Sequence, residues 1–135
     1  MTSQLMEYFN RQPRIGTIST AGKDGKVDVA VMGSPRMTDE KTVVPGSGWN
    51  RTLANLKENP HAAYTIMEPG ASLMDWKGVR VYMTLKDVTT SGPAFDGYMA
   101  QVPEAARSML HALATFEITE VRPIVDMGQG WERSV

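Results

Sequence analysis

The sequence contains no cysteine, and this absence removes whole classes of function. Disulfide scaffolds, thiol nucleophiles, iron–sulfur clusters and cysteine-held zinc are all excluded, and a reducing compartment is compatible with the lack. Histidine is scarce as well: His61 and His111 are far apart in sequence and have no metal-pair spacing. Neither sign of charge dominates, with 14 Lys+Arg against 15 Asp+Glu and a net charge of −1. A chain so balanced offers no basic face with which to neutralise the phosphates of a nucleic acid. No apolar run approaches the roughly 20 residues of a membrane span. The opening "MTSQLMEYFNRQ" lacks the basic start and continuous apolar stretch of a secretory signal, so a cytoplasmic protein is expected.

What is present is enough for one ordinary domain over residues 1–135, with 41% hydrophobic and 21% charged residues. Ten methionines read mainly as adaptable core filler. The first dozen residues suggest a short helix stopped near Pro13. "RIGTIST" and "VDVAVMG" alternate as strands do and flank "AGKDGK", so they are expected to form a hairpin. "PRMTDEKTVVP" suggests a second strand pair turning near Asp39–Glu40, and "AAYTIME" another strand. The longest candidate is "KGVRVYMTLKDVTT", with Val79, Val81, Met83 and Leu85 on one face and Arg80, Tyr82, Thr84 and Lys86 on the other. "GPAFDGYMAQV" and "PEAARSMLHAL" read as helices, the second opening on proline with an acid beside it. "ATFEITEVRPI" closes as a strand. Many strands joined by short turns imply an antiparallel sheet that curls or closes, with helices at one end: a small closed or split β-barrel.

The stretch "VVPGSGWNRTLANLKENP" carries the most chemistry. It runs from an apolar strand through Gly46 and Gly48 into a helix. The start of a helix exposes unpaired N–H groups and partial positive charge. Asn50 is placed to cap it, which puts Arg51 and Thr52 in the first turn and Asn55 one turn further along the same side. A guanidinium, a hydroxyl and an amide together could hold a phosphate. A well-made strand-to-helix connection with a solvated arginine explains the same residues, and spacing leaves both readings open. The glycine–lysine–serine ending of a nucleoside-triphosphate loop is absent, as is the glycine fingerprint of dinucleotide folds. Ser19, Ser34 and Ser47 have no nucleophile motif around them, and no carboxylate pair is arranged as acid and base. Trp49, Trp76 and Trp131 read first as packing anchors, although Trp49 adjoins the anion cradle.

Taken in order, "GKDGKVDVAVMGSP", "TVVPGSGWNRTLANLKENPHAAYTIM", "KGVRVYMTLKDV" and "FEITEVRPI" resemble the flavin-binding split-barrel family. That family includes pyridoxamine 5′-phosphate oxidase and the small flavin mononucleotide (FMN)-binding proteins of bacteria, and the resemblance spans roughly residues 4–125. Its most specific part is "RTLANLKENP" after a strand ending in "VVP". The resemblance implies a mainly β fold with flanking helices, an antiparallel six-stranded split β-barrel. It also implies that FMN is the cofactor. Arg51 and Thr52 would then hold the flavin phosphate together with Asn55, and Pro45, Gly46, Ser47, Gly48, Trp49 and Asn50 would lie along the cofactor. Val29, Ala30, Val31 and Met32 match the strand whose main chain meets the ring's polar edge in relatives. Lys77 and Gly78 match the start of the bordering long strand. Relatives are homodimers with the flavin at the subunit interface, which makes Trp131 of the tail a candidate to complete the site of the second copy. The implied activity is that of an FMN-dependent oxidoreductase or electron-transfer protein, its alternatives being a non-catalytic flavin carrier or sensor and a deazaflavin-dependent reductase. Other relatives bind haem. The substrate-phosphate arginine and histidine arrangement of the full oxidases is not found in "GWERSV", so vitamin B6 oxidation is not implied.

Overall fold

The computed structural model describes residues 3–135. Helix α1 (Gln4–Asn10) starts on Ser3, whose side chain accepts the Met6 N–H at 3.1 Å, and buries Leu5, Tyr8 and Phe9. It matches the expected opening helix, apart from Met1 and Thr2, which lie outside the described residues. Strands β1 (Ile15–Ala21) and β2 (Val27–Val31) form the expected hairpin, and Gly25 takes a φ of 82° in its turn. Strands β3 (Arg36–Asp39) and β4 (Thr42–Val44) form the second pair. β5 (Gly46–Ser47) follows, and then helix α2 (Arg51–Glu58). The long strands β6 (His61–Glu68), β7 (Lys77–Thr89) and β8 (Ala112–Pro123) complete the sheet, with helices α3 (Pro93–Gln101) and α4 (Glu104–Arg107) inserted between β7 and β8.

All pairings are antiparallel, in the order β2-β1-β6-β7-β8-β4-β3, with β5 also paired to β8. The end strands β2 and β3 are not paired to each other, so the sheet is open, as in a split barrel. There are eight strand segments where six were expected, because the stretch 36–47 is broken into three short pieces. Alternation decides which side is inside. Val79, Val81 and Met83 of β7 are buried with Ile18, Tyr64, Ile66 and Phe116, and Phe9 of α1 closes one end of this core. Leu85, expected on the same face, is only half-buried.

One helix is much shorter than its sequence suggests. "PEAARSMLHAL" is helical only over Glu104–Arg107, because the chain beyond it is captured by β5. The His111 N–H donates to the Ser47 carbonyl at 2.8 Å, Ala112 and Leu113 pair with Ser47 and Gly46, and Ala112 to Ala114 are buried. Ladder hydrogen bonds and burial outweigh a weak local preference for helix. No helix among the described residues is long and apolar enough to cross a membrane.

Candidate ligand cleft

The stretch from β4 to α2 folds as its residues dictate. Asn50 is extended, and its side chain accepts the Leu53 N–H at 3.0 Å, which starts the helix where expected. Leu53 and Leu56 turn into the core, leaving Arg51 exposed in the first turn. Among the described residues, ion pairs form only at Arg122, so no carboxylate within 4.0 Å neutralises Arg51. Thr52 is buried at 3% exposure, and buried Asn55 donates from Nδ2 to Thr20 Oγ1 at 3.1 Å.

Two depressions meet at Trp49 and Asn50. The larger, a cleft of about 1160 Å³, lies between Met32–Pro35, the Gly46–Asn50 segment and the stretch around α3 and α4. Two bonds join its walls: Ser34 Oγ donates to the Gly46 carbonyl at 2.8 Å, and the Gly46 N–H donates to Tyr98 Oη at 3.2 Å. The smaller, of about 770 Å³, lies between the β1–β2 turn and the exposed side of α2, with Lys23, Lys26, Arg51 and Asn55 in its wall beside Asp24 and Glu58. Trp49 is 61% exposed, yet its ring is held: the His111 ring stacks on it at 5.7 Å and 6°, and Lys57 Nζ lies 5.3 Å from its centre.

Both glycines of the motif are closely approached by the chain's own atoms, Gly46 by a side-chain tip and Gly48 by backbone. A Cβ on Gly46 would stand 2.7 Å from the Tyr98 ring, and one on Gly48 would stand 2.7 Å from the Met109 carbonyl oxygen. The atoms that take up this space belong to Tyr98 of α3 and to Met109 in the segment between α4 and β8.

The expected site residues separate into groups. Val31, Met32, Gly46, Ser47, Gly48, Trp49 and Asn50 line the larger cleft, and Trp49, Asn50, Arg51 and Asn55 line the smaller. Pro45 is buried beside them and accepts the Ala114 N–H at 3.1 Å. Thr52, Val29 and Ala30 border neither depression. Lys77 and Gly78 pair with Glu68 and Met67 at the start of β7, also away from both. Trp131 packs against the core in a short 3-10 turn of the tail and does not reach either depression. Sequence reasoning missed Lys23 and Lys26, which the β1–β2 register brings beside α2, and Arg14, Tyr98 and His111 around the larger cleft. Among the described residues no group of three His, Asp or Glu could hold a metal ion.

The comparisons agree with this architecture. No curated protein matches the chain in sequence. In fold it is similar to an FMN-binding protein from Syntrophomonas wolfei subsp. wolfei, with a TM-score of 0.76 and 22% identity over 92% of this chain and 84% of that one. It is similar to the haem storage protein HutZ from Vibrio cholerae, with a TM-score of 0.65 and 16% identity over 98% of this chain and 99% of that one. An F420 reductase shares the fold with a TM-score of 0.63 and 17% identity over 89% of this chain and 98% of that one. The profile of the pyridoxamine 5′-phosphate oxidase family matches residues 2–124. With nearly the whole chain covered by that profile, and an open antiparallel sheet flanked by helices, the protein belongs to the pyridoxamine 5′-phosphate oxidase family.

Proposed function

We propose that the protein binds FMN and works as an oxidoreductase or electron-transfer flavoprotein. The observation that carries this reading is the junction at Trp49–Asn50, where a large, mixed cleft meets a groove beside a helix start that holds Lys23, Lys26 and Arg51 against Asp24 and Glu58, none of them in an ion pair within 4.0 Å among the described residues. The residues fit the group. Lys23, Lys26 and Arg51 suit a phosphate, and a cleft of about 1160 Å³ is large enough for a ligand, common sites spanning roughly 300–1,000 Å³. The flavin supplies the redox chemistry when bound, and the chain's residues bind and orient it. Arg51 and Asn55 act at the phosphate end, while Gly46 to Trp49 and Met32 line the space for the ring. The fold shared with an FMN-binding protein supports the reading.

A homodimer completes the proposal. The edge strand β2 exposes Val27, Val29 and Val31 at 80%, 64% and 87%, an apolar row that a second copy would cover. Purified protein should release FMN, identified by mass spectrometry, and should run as a dimer in light scattering. Selective uptake of a deazaflavin or of haem by the ligand-free protein, with FMN refused, would overturn the reading. Reduction by nicotinamide cofactors followed by reoxidation separates an enzyme from a carrier, which would bind flavin with negligible turnover.

A further inference from the structure

The Met32–Pro35 wall of the larger cleft is tied down from behind by two side chains outside the motif. Tyr64 Oη donates to the Met32 carbonyl at 2.5 Å. Gly16 makes this approach feasible, since a Cβ there would stand 2.0 Å from that hydroxyl. The Gly16 carbonyl in turn accepts the Met32 N–H at 3.0 Å. The Arg14 guanidinium donates to the Gly33 carbonyl at 3.0 Å and also to the carbonyls of Pro35 and Phe9. It lies over the Phe9 and Tyr64 rings, 5.1 and 5.3 Å from their centres. Burial raises the Tyr64 pKa above the ordinary tyrosine value, which keeps the hydroxyl a donor.

Three of the four carbonyls of this wall are thus engaged. Its Gly33 and Ser34 N–H groups donate to no backbone acceptor among the described residues, and both residues line the cleft. We propose that Arg14 and Tyr64 are positioning residues, which hold the Met32–Pro35 segment so that its Gly33 and Ser34 N–H groups serve as the cleft's donors to an acceptor atom of the ligand. The inference rests on the flavin reading, where the acceptors are the carbonyl-bearing edge of the ring. A backbone donor set is preorganised only if its peptide planes are fixed, and two anchors on successive carbonyls, Met32 and Gly33, fix them.

Tyr64→Phe removes only the hydroxyl and keeps the ring against Phe9, and Arg14→Lys keeps the charge but loses the forked donor. Amide exchange is measured with and without FMN, and nitrogen relaxation is measured on the ligand-free chain. In the unaltered protein FMN should slow exchange at Gly33 and Ser34. In both variants this protection should fall by about tenfold, the scale of one well-made hydrogen bond, and the ligand-free segment should loosen. Met83→Ala, a core change that borders neither depression and is not a register partner of Tyr64, should lower Tm and leave both readouts unchanged. Unaltered protection in Tyr64→Phe and Arg14→Lys would overturn the inference. If the unaltered protein does not take up FMN, the flavin reading fails, and the relaxation data alone decide the anchoring: loosening supports it, and unchanged order refutes it.

Discussion

Replacing Arg51 by alanine tests the phosphate end of the site, because its effects on ligand binding and on stability should have opposite signs. Arg51 is exposed, is the first residue of α2 and has no carboxylate partner within 4.0 Å among the described residues. A cation at a helix start opposes the macrodipole, so its removal should leave Tm unchanged or raise it slightly. A charge-assisted bond to phosphate contributes about 1.5–3 kcal/mol, and an open groove places this one near the lower end. FMN affinity should therefore fall by about tenfold, each 1.4 kcal/mol being a factor of ten. Titration of the ligand-free protein by flavin fluorescence gives Kd, and a thermal melt gives stability. Added salt should weaken FMN binding to the unaltered protein more than to Arg51→Ala, since one screened contact is missing in the variant. An unchanged Kd in Arg51→Ala, with intact folding, would refute the placement of the phosphate.

Two further predictions concern the scaffold. Gly78 sits at a φ of 144°, and a Cβ there would stand 2.0 Å from the Ile66 carbonyl oxygen. Gly78→Ala should cost about 2–5 kcal/mol in denaturant unfolding, from backbone strain and overlap together; a loss below 1 kcal/mol would show that the strand start relaxes freely. Tyr8 has its pKa raised above the ordinary 10.0 by burial first and then by its 2.5 Å hydrogen bond to Glu68. The fold favours the neutral phenol, so this contribution is complete below pH 10 and is lost as pH rises above it. Tm should drop on the alkaline side of pH 10, and Tyr8→Phe should flatten that limb.

Local chemistry was legible wherever it decides local structure. The two hairpins, the Asn50 cap and the alternating face of β7 follow from turn residues, a side-chain acceptor and a two-residue period. The inward turn of Leu53 and Leu56 follows from their helical spacing. The segment after α4 was misread because its helical pattern loses to a ladder with β5, a partner more than 60 residues away that no local window contains. Thr52 lies in the first turn beside Arg51 as expected, and the helix rotation that buries Leu53 also buries Thr52.

The sequence by itself determined that this is a mainly β domain of the pyridoxamine 5′-phosphate oxidase family, with an anion-suited helix start after "VVPGSG". These features depend on neighbours in the chain, on periodicity and on a motif of contiguous residues. Only the tertiary structure decided which side chains face which depression. Lys23 and Lys26 join Arg51 through the register of β1 with β2 and the packing of α2. Arg14 and Tyr64 meet behind Met32–Pro35 because β1 lies between β2 and β6. Gly46 and Gly48 are approached by Tyr98 and Met109, which come from the stretch between β7 and β8. Such contacts are set by strand order and close packing, in which each position is fixed by residues distant in sequence.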